Sequence, residues 1–457
     1  AAEWLERSGE REANVLAEHF DLGDASQRAA PWYLRAAQHA LDGNDFEACI
    51  ARIHRGLDCD RDRSLRGEML ALLTEAHVWT GAFAQAAEAG REALSLVPRG
   101  SRAWYATVAE LALAAGVAGD ADTLLDLAAR VGAQASDGPT AEARVIAMTR
   151  LIEQLIIVGR FDAGEALVAL LDAAPPEVSA NPSTAGRIHS ARAMHACFIG
   201  DVDANLHHVD AAVACFEAAG DVRNMATKQE RAGYTRLDIG SYDEAEVMLR
   251  SALATAEGIH LANVVATAKH NLGLTLSRLG RHDEATAIET EAADLFRASG
   301  NRRMQGASME YLALIELEAG RPVQAEVAAR EALRLSEEPS LLPLNRAESL
   351  AILAQVLLAR DRPPEALVVA EEGARMLASL GGIDDGEAII RLTLAEALDA
   401  VGRHAEATAA LEVAVERLLD RASKMAEPRR RIFMETVPEN RRTLALAARW
   451  SSERGEG

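Results

Sequence analysis

A glycine returns every 38 to 41 residues along most of this chain, and no other feature of the sequence limits the fold as strongly. Asp361 fills the one gap in the series. A fixed period of this length is typical of stacked helical units, because each unit can bury its apolar face only against its neighbours. The series is Gly43, Gly81, Gly119, Gly159, Gly200, Gly240, Gly280, Gly320, Asp361 and Gly402.

The residues on both sides of each glycine have helical spacing. Ala268, Leu272 and Leu276 precede Gly280 at intervals of four residues, which places their side chains on one helix face. A glycine with a left-handed backbone can end the first helix and reverse the chain. The sequence therefore predicts an all-α solenoid of about ten helical hairpins, each of about 40 residues.

Small residues recur where the two helices of each hairpin should cross. Gly233 and Gly273 lie seven residues before the repeated glycine, and Ala245 and Ala285 lie five residues after it. Small side chains let two helix axes approach to about 8 Å, so we expect these positions to be buried. The equivalent positions elsewhere are Ala313, Ala354 and Ala395 in first helices and Ala325, Ala366 and Ala407 in second helices.

The amino-acid composition limits the classes of partner and the location that we expect for this chain. The net charge of −22 disfavours nucleic acid and anionic membranes, because both carry phosphate. The apolar runs are too short for a transmembrane helix of about 20 residues. Four cysteines with no CxxC pair favour reduced thiols, and we therefore expect a cytoplasmic location.

The repeated unit resembles the tetratricopeptide repeat (TPR). The resemblance rests on Gly or Ala in the first helix, Gly at the turn, Tyr242 or His282 after it, and Ala in the second helix. It covers most of residues 30–419 and is strongest over 187–419. It implies a right-handed superhelix in which first helices line a concave groove. The unit is longer than the usual one of about 34 residues, as in the superhelices of large bacterial ATPase regulators.

Two flanking stretches add to this resemblance. "VLAEHFDLGD" near the start and "RRRIFMETVPENRRTLALAARW" near the end are similar to segments of bacterial proteins that join a serine/threonine kinase, an ATPase and TPRs. The sequence also begins without Met, inside an amphipathic pattern. We therefore expect a fragment of a larger bacterial signalling kinase or ATPase, with the kinase outside this sequence.

We expect five segments along the chain. The proline- and serine-rich stretch over 172–186 is either a hinge between two halves or a long loop inside one solenoid. The predicted segments are an irregular helical region over 1–60, divergent repeats over 61–175, a loop or hinge over 176–186, regular repeats over 187–420, and a capping helix with a tail over 421–457.

Residues 421–450 are basic, with eight Arg or Lys against three Glu. Such a stretch can dock an acidic partner, can dock the acidic solenoid of its own chain, or can simply keep the cap soluble. The last interpretation is favoured. Nucleic-acid binding is disfavoured, because neither a pattern of interleaved aromatic residues nor a reading helix accompanies the basic residues.

Known catalytic patterns are missing from the sequence. No Gly-Lys pair is present for a phosphate-binding loop, and in "IHRGLDCDRDR" Gly56 stands where a kinase loop needs Asp. A cluster of histidines could suggest a zinc site, but packed or solvated side chains are favoured, because zinc requires three or four ligands that converge with tetrahedral geometry. We expect no catalytic residue, no metal and no cofactor. The cluster is His189, His195, Cys197, His207 and His208.

The resemblance also implies which side chains face the groove. They are mostly polar with two aromatic rings, which suits a protein or peptide partner, although packing between neighbouring first helices is an alternative for each. Asn271 fits one position of a carboxylate-binding TPR subfamily, but His270 and Glu230 replace its lysine, so no carboxylate clamp is predicted. The candidates are Arg187, Thr227, Glu230, Arg231, Tyr234, Thr267, His270, Asn271, Arg278, Glu310, Tyr311, Glu348 and Gln355.

Three functions remain open from the sequence. The favoured one is a non-enzymatic TPR scaffold or sensor arm that binds proteins. The second is a solenoid that senses a small molecule in an ATPase-type (STAND-like) transcriptional regulator. The third is an enzyme with an unrecognised site in the groove. Self-association is also left open.

Overall fold

A computed structural model describes residues 2–61, 63, 65–134, 138–337, 343–379 and 386–455. Within these ranges the secondary structure consists of 24 α-helices and one 3-10 helix, with no strand. The predicted all-α helical-repeat solenoid is confirmed at the level of fold class.

The first half of the chain forms helical hairpins from its beginning. Its helices are α1 (Ala2–Arg7), α2 (Ala13–Leu22), α3 (Ser26–Asp42), α4 (Phe46–Cys59), α5 (Arg66–Trp79), α6 (Phe83–Leu96), α7 (Arg102–Val117), α8 (Ala121–Gly132), α9 (Ala141–Ile157), α10 (Phe161–Asp172), a 3-10 helix (Pro176–Ala180), α11 (Pro182–Phe198) and α12 (Val202–Ala219).

The second half continues the same alternation. Its helices are α13 (Val222–Asp238), α14 (Tyr242–Gly258), α15 (Ala262–Arg278), α16 (His282–Ala298), α17 (Arg302–Glu318), α18 (Pro322–Leu335), α19 (Pro343–Ala359), α20 (Pro363–Ser379), α21 (Glu387–Ala400), α22 (His404–Ser423), α23 (Arg429–Thr436) and α24 (Pro438–Gly455).

The chain divides into two compact units. Unit 1 consists of Ala1–Phe198, His208–Met225 and Glu257–Asn263, and unit 2 consists of the remaining segments. In unit 1, Trp104, Leu124 and Leu151 are fully buried in the main core. Leu249 and Leu272 have the same role in unit 2. Each unit therefore has an apolar core of its own.

The repeated glycine makes the predicted turn at eight of its positions, which have φ between 69° and 86°. Asp361 adopts the same left-handed backbone, with φ 55°. Gly43 is the exception, because its φ is −81° and the next residue, Asn44, takes the left-handed conformation with φ 61°. Asn adopts the left-handed conformation more readily than most residues, so the turn is displaced by one position and the chain still reverses there.

Small residues lie at the helix crossings, as predicted. A Cβ atom added at Gly233 would lie 2.5 Å from Cγ of Leu249, and one added at Gly273 would lie 2.5 Å from Oε2 of Glu289. Ala245 is completely buried, with an exposure of 0%. The hairpins α13–α14 and α15–α16 are therefore held at a distance that only small side chains allow.

Two segments are more regular than the sequence suggested. The stretch over 176–186 is not an open loop: Val178 in the 3-10 helix packs on the core of unit 1, and α11 begins at Pro182. Asn181 Oδ1 accepts a hydrogen bond from Ser183 N at 3.0 Å and caps that helix. The region over 1–60 is not irregular either, because α3 and α4 form a hairpin around the buried Ile53.

We predict that Gly233→Ala destabilises the chain by about 1–2 kcal/mol, because the new methyl group must displace the buried Leu249 side chain. The matched control is Gly306→Ala, where the nearest atom outside the helix, Cβ of Leu335, lies at 3.6 Å. There the better helix propensity should stabilise the chain by about 0.5–1 kcal/mol. Urea denaturation of both variants checks the two signs, and equal effects would contradict the close crossing.

Candidate functional site

The first helices of unit 2 form a common wall. One cavity of unit 2 is lined by faces of α13, α15, α17, α19 and α21, and we call these faces the inner wall of unit 2. Tyr234, Arg278, Tyr311 and Glu348 from the predicted groove residues all line this cavity, which has a volume of about 120 Å³. Residues far apart in sequence are therefore brought together as the resemblance implied.

Other predicted groove residues connect neighbouring first helices. Asn271 Nδ2 donates a hydrogen bond to Glu230 Oε1 at 2.6 Å, and Ser349 Oγ donates to Glu310. Burial raises the pKa of Glu230, although the nearby Arg231 opposes this effect. These polar pairs lie between helices, so they set the spacing of the wall more than they present groups to a ligand.

His270 also makes contacts that connect neighbouring helices. It is only 4% exposed, its Nδ1 lies 2.8 Å from Oε1 of Glu289, and its ring stacks on Tyr311 with centroids 4.1 Å apart. Arg231 places its guanidinium 4.8 Å from the centroid of the Tyr234 ring. His270 thus joins α15 to α16 and α17.

The remaining predicted residues are dispersed. Thr267 Oγ1 donates to Val264 O within its own helix, at 3.2 Å, and Thr227 lies in the second turn of α13. Gln355 lines a second cavity of unit 2, of about 470 Å³, together with Glu396 and Trp450. Arg187 is the one predicted residue that belongs to unit 1.

The inner wall of unit 2 is covered by the end of the chain. We call α23 and the first half of α24 the C-terminal strap. Phe433 is 1% exposed against the wall, and Asn440 Nδ2 donates to the Phe433 carbonyl at 3.0 Å. Arg278 Nη2 lies 2.8 Å from Glu439 Oε1, and its Nη1 contacts Glu318. A buried ion pair therefore joins the strap to the wall.

Basic residues hold both ends of the strap region on acidic residues of unit 2. Arg421 Nη2 lies 2.6 Å from Asp238 Oδ2, and Arg442 Nη2 lies 2.7 Å from Glu396 Oε1. Arg429 pairs with Asp203. In the described part of the predicted capping helix and tail over 421–457, α23 and α24 are thus docked on acidic residues of their own chain, which corrects the favoured interpretation of a merely solubilising cap.

Unit 1 has a different inner wall. Its first helices α5, α7, α9 and α11 pack in succession, and we call the faces carrying Glu75, Glu110, Arg150 and Arg187 the inner wall of unit 1. All four side chains are half-buried. These helices have no separate polar face, because mostly apolar stretches lie before and after the charged residue, as in "LLTEAHVW" and "MTRLIEQL".

Unit 1 curls back on itself at Arg223, in the first turn of α13. Arg223 Nη1 donates to the carbonyl of Leu41 at 3.4 Å, although 182 residues separate them in sequence. Its guanidinium also lies 5.1 Å from the centroid of the Trp79 ring. A fifth charged residue, from a distant helix, thereby joins the four of the inner wall.

The charges of unit 1 influence one another strongly. Burial, followed by the Glu110 carboxylate, raises the pKa of Glu75 to about 7, against the attraction of Arg223. Burial and the neighbouring Arg150 lower the pKa of Arg187, although Glu110 opposes this. Such effects require short distances in a water-poor space. The interior of unit 1 is therefore a compact polar site inside an apolar array.

Several polar atoms of this site are left without partners. Arg187 makes no hydrogen bond or ion pair with the rest of the described chain. Within the same described ranges, Nε of Arg150 and Oε2 of Glu110 are buried and have no hydrogen-bond partner. Buried polar groups are almost always hydrogen-bonded in native proteins, so these atoms are available for further contacts, as are Oε2 of Glu289 and Nε2 of Gln355 in unit 2.

The comparisons with known proteins agree with this architecture. The tetratricopeptide repeat family matches residues 224–298 and 264–338. The chain is therefore similar to tetratricopeptide repeats over these residues. Ten of the predicted groove residues, from Thr227 to Tyr311, lie within the matched segments. No curated protein sequence matches the chain.

Solved structures share the fold with low sequence identity. A Rap protein complexed with competence and sporulation factor is 13% identical, with a TM-score of 0.54, and the match covers 78% of this chain and 99% of that one. NprR in complex with its cognate peptide NprX is 14% identical, with a TM-score of 0.50 over 74% and 98% of the two chains. At these identities the likeness shows the fold alone.

A third similar structure is larger than this chain. It is a signal transduction ATPase with numerous domains (STAND) and a TPR sensor from Pyrococcus horikoshii. The identity is 13% and the TM-score is 0.51, and the match covers 76% of this chain but only 52% of the STAND protein.

No helix in the described part of the chain has the length and apolarity needed to cross a bilayer. No three His, Cys, Asp or Glu side chains there are grouped to hold a metal ion. In the predicted histidine cluster, Nδ1 of His189 and Nδ1 of His208 lie 3.0 Å apart.

The TPR resemblance does not indicate four of the five charged residues of unit 1. Groove positions are counted from the small crossing residue, which recurs regularly only in the later repeats. Glu75, Glu110, Arg150 and Arg223 lie before or at the edge of these repeats. The sequence does contain one indication of these residues, which is a single charged residue in the middle of an apolar helix. Such a residue becomes buried, and a buried charge needs a polar partner.

We predict that Glu439→Gln loosens the C-terminal strap in a pH-dependent way. Burial alone would raise the pKa of Glu439, but the Arg278 charge outweighs it and the pKa lies below its ordinary value. The stabilisation is therefore complete above the unfolded pKa of about 4.3 and is lost as pH falls through the folded pKa. The variant should be about 1–3 kcal/mol less stable than the wild type at neutral pH.

Urea midpoints at about pH 7 and about pH 3.5 check this prediction, because the difference between variant and wild type should shrink on acidification. Glu435→Gln is the matched control, since Glu435 lies on the same strap but is exposed. A deficit that is the same at both pH values would contradict the role assigned to the ion pair.

Proposed function

We propose that this chain is a non-catalytic, partner-binding arm of a signalling protein and that it receives an extended peptide on the inner wall of unit 1. The observation that carries the proposal is the set of half-buried, incompletely paired charges from Glu75 to Arg187. Polar groups that fix the orientation of a ligand within a mostly apolar surface are characteristic of binding sites.

The state of unit 2 supports this assignment. Its inner wall carries most of the groove residues predicted from the TPR resemblance, but the C-terminal strap already covers Arg278 and the cavity beside it. A peptide would have to displace a buried ion pair and the buried Phe433 there, which costs several kcal/mol of lost contacts. On the wall of unit 1 it would instead satisfy orphaned polar atoms.

Two solved structures of similar fold contain bound partners and support a peptide as the class of partner by analogy. NprR is known in complex with a cognate peptide, and the Rap protein in complex with competence and sporulation factor. The likeness of sequence is too low to transfer these ligands. It supports the class of partner, a protein or peptide, and the proposal adds that the parent protein is a bacterial kinase or ATPase of the cytoplasm.

A second candidate function is the sensing of a small molecule. The STAND protein with a TPR sensor has the same fold, and unit 2 contains a cavity of about 470 Å³ lined by Gln355, Glu396 and Trp450. This volume is within the usual range of about 300–1,000 Å³ for small-molecule sites. A metabolite that raises the melting temperature in a saturable way would favour this function.

The peptide proposal predicts saturable binding that depends on unit 1. The immobilised full chain is exposed to a pool of random heptapeptides, retained peptides are identified by mass spectrometry, and their affinities are measured by fluorescence anisotropy. Glu110→Arg should weaken binding by about tenfold or more, because it reverses a charge inside the site. Glu165→Arg, at an exposed position on α10, is the matched control and should have no effect.

Two results would overturn the proposal. One is that no peptide is retained above the level of a column without protein. The other is that binding withstands Glu110→Arg but is abolished by Glu348→Arg, which would place the peptide on the inner wall of unit 2.

A further inference from the structure

We infer that the cavity between the C-terminal strap and the inner wall of unit 2 binds a small alkylammonium ion, which donates an N–H hydrogen bond to Asn440. This inference goes beyond the proposed function, because it concerns unit 2 and does not depend on peptide binding in unit 1. Four observations carry it: the aromatic lining of the cavity, its volume, a buried acceptor without a partner, and the balance of charge.

Four aromatic residues line this cavity. Tyr234 and Tyr311 belong to the inner wall. Tyr242 is the first residue of α14, and Phe433 comes from the strap. The face of an aromatic ring attracts a cation, and several rings around one space are typical of sites that hold an alkylammonium group. The Phe433 ring already has one such contact, because the Arg421 guanidinium lies 5.0 Å from its centroid.

The volume of the cavity selects a very small ligand. An apolar cavity of about 150 Å³ takes up a molecule of the size of benzene. The volume of about 120 Å³ under the strap therefore leaves room for about five non-hydrogen atoms. A nucleotide or a peptide segment is too large, whereas an ammonium group with two or three methyl groups fits.

Asn440 supplies the hydrogen-bonding specificity. It lines the cavity, is 1% exposed, and donates from Nδ2 to the Phe433 carbonyl at 3.0 Å. Its Oδ1 is also buried, but has no hydrogen-bond partner in the described part of the chain. Because a carbonyl can only accept, the contact with Phe433 fixes which end of the amide is the nitrogen. The unsatisfied atom is therefore an acceptor, and a ligand N–H would satisfy it.

Carboxylates outnumber basic groups around the cavity. Its lining contains three carboxylates against two guanidinium groups, so the formal balance is −1. These residues are Asp238, Glu348, Glu439, Arg278 and Arg421. Arg278 is also shared with a fourth carboxylate, Glu318, which lies outside the lining. A cation in this space is attracted and an anion is repelled, and both effects are strengthened by burial.

The test uses the full chain and three probes of nearly equal size. Trimethylammonium has a positive charge and an N–H group, tetramethylammonium has the charge alone, and tert-butyl alcohol is neutral. Their affinities are obtained from the saturable rise in melting temperature, at neutral pH and at an ionic strength held constant with sodium chloride. Trimethylammonium should bind about tenfold or more tightly than the alcohol, and about threefold or more tightly than tetramethylammonium.

Two variants connect this preference to the cavity. Glu348→Gln removes one negative charge and should weaken trimethylammonium binding by about fivefold, with no change for the alcohol. Tyr234→Leu removes one ring and should reduce the preference over the alcohol to about threefold or less.

Glu365→Gln is the matched control. Glu365 lies on α20, which packs against the α19 helix of Glu348, and its side chain is 57% exposed and pairs with Arg362. This variant should bind all three probes as the wild type does. Circular dichroism confirms that each variant is folded, and if Tyr234→Leu is not, Glu348→Gln decides alone.

Three results would overturn the inference. The first is equal affinity for trimethylammonium and the alcohol, or a preference that the cavity variants leave intact. The second is equal affinity for the two cations, because Asn440 would then have no part in binding. The third is no saturable stabilisation by any probe, which would mean that the cavity holds water only. None of these results bears on peptide binding in unit 1.

Discussion

The close approach of two helices at small residues is the contact on which the rest of this structure depends. Where Gly233 faces Leu249 and Gly273 faces Glu289, there is no room for even a methyl group. A hairpin closed this tightly presents a flat apolar side to the next hairpin, so successive hairpins stack in a fixed orientation. The stacking then places first helices side by side, and it is their exposed edges that become the inner walls. Function in this fold therefore begins with packing.

The two units use their inner walls in different ways. In unit 2 polar pairs connect neighbouring helices and the strap: Glu230 with Asn271, His270 with Glu289, and the strap with Arg278. In unit 1 the charges are gathered without complete pairing, so Glu75 is pushed towards neutrality and Arg187 is left alone. Paired polar networks stabilise one structure, whereas unpaired buried groups cost free energy that a ligand can recover. The binding role is assigned to unit 1 because its inner wall gathers charged residues, whereas the strap already covers the inner wall of unit 2.

The local parts of the architecture could be predicted from the sequence, and the long-range parts could not. Turns at Gly240 and Gly280 follow from a backbone preference of single residues, and the crossings follow from side-chain size. The basic charge over 421–450 was visible, but its target was not, because Arg429 meets a residue 226 positions away. Glu110 and Arg150 were missed for a related reason. Their surroundings depend on the long-range contact between Arg223 and Leu41, and no local sequence pattern predicts that contact.

Amide hydrogen exchange of the full chain, with and without a peptide selected on it, tests the central claim most directly. Binding on the inner wall of unit 1 should slow exchange in α7, α9 and α11, because these helices become more ordered around the ligand. The strap over 429–443 should keep the same slow exchange in both states. Protection that is confined to α15, α17 and α19, with faster exchange in the strap, would show that the peptide enters unit 2 and would contradict the account.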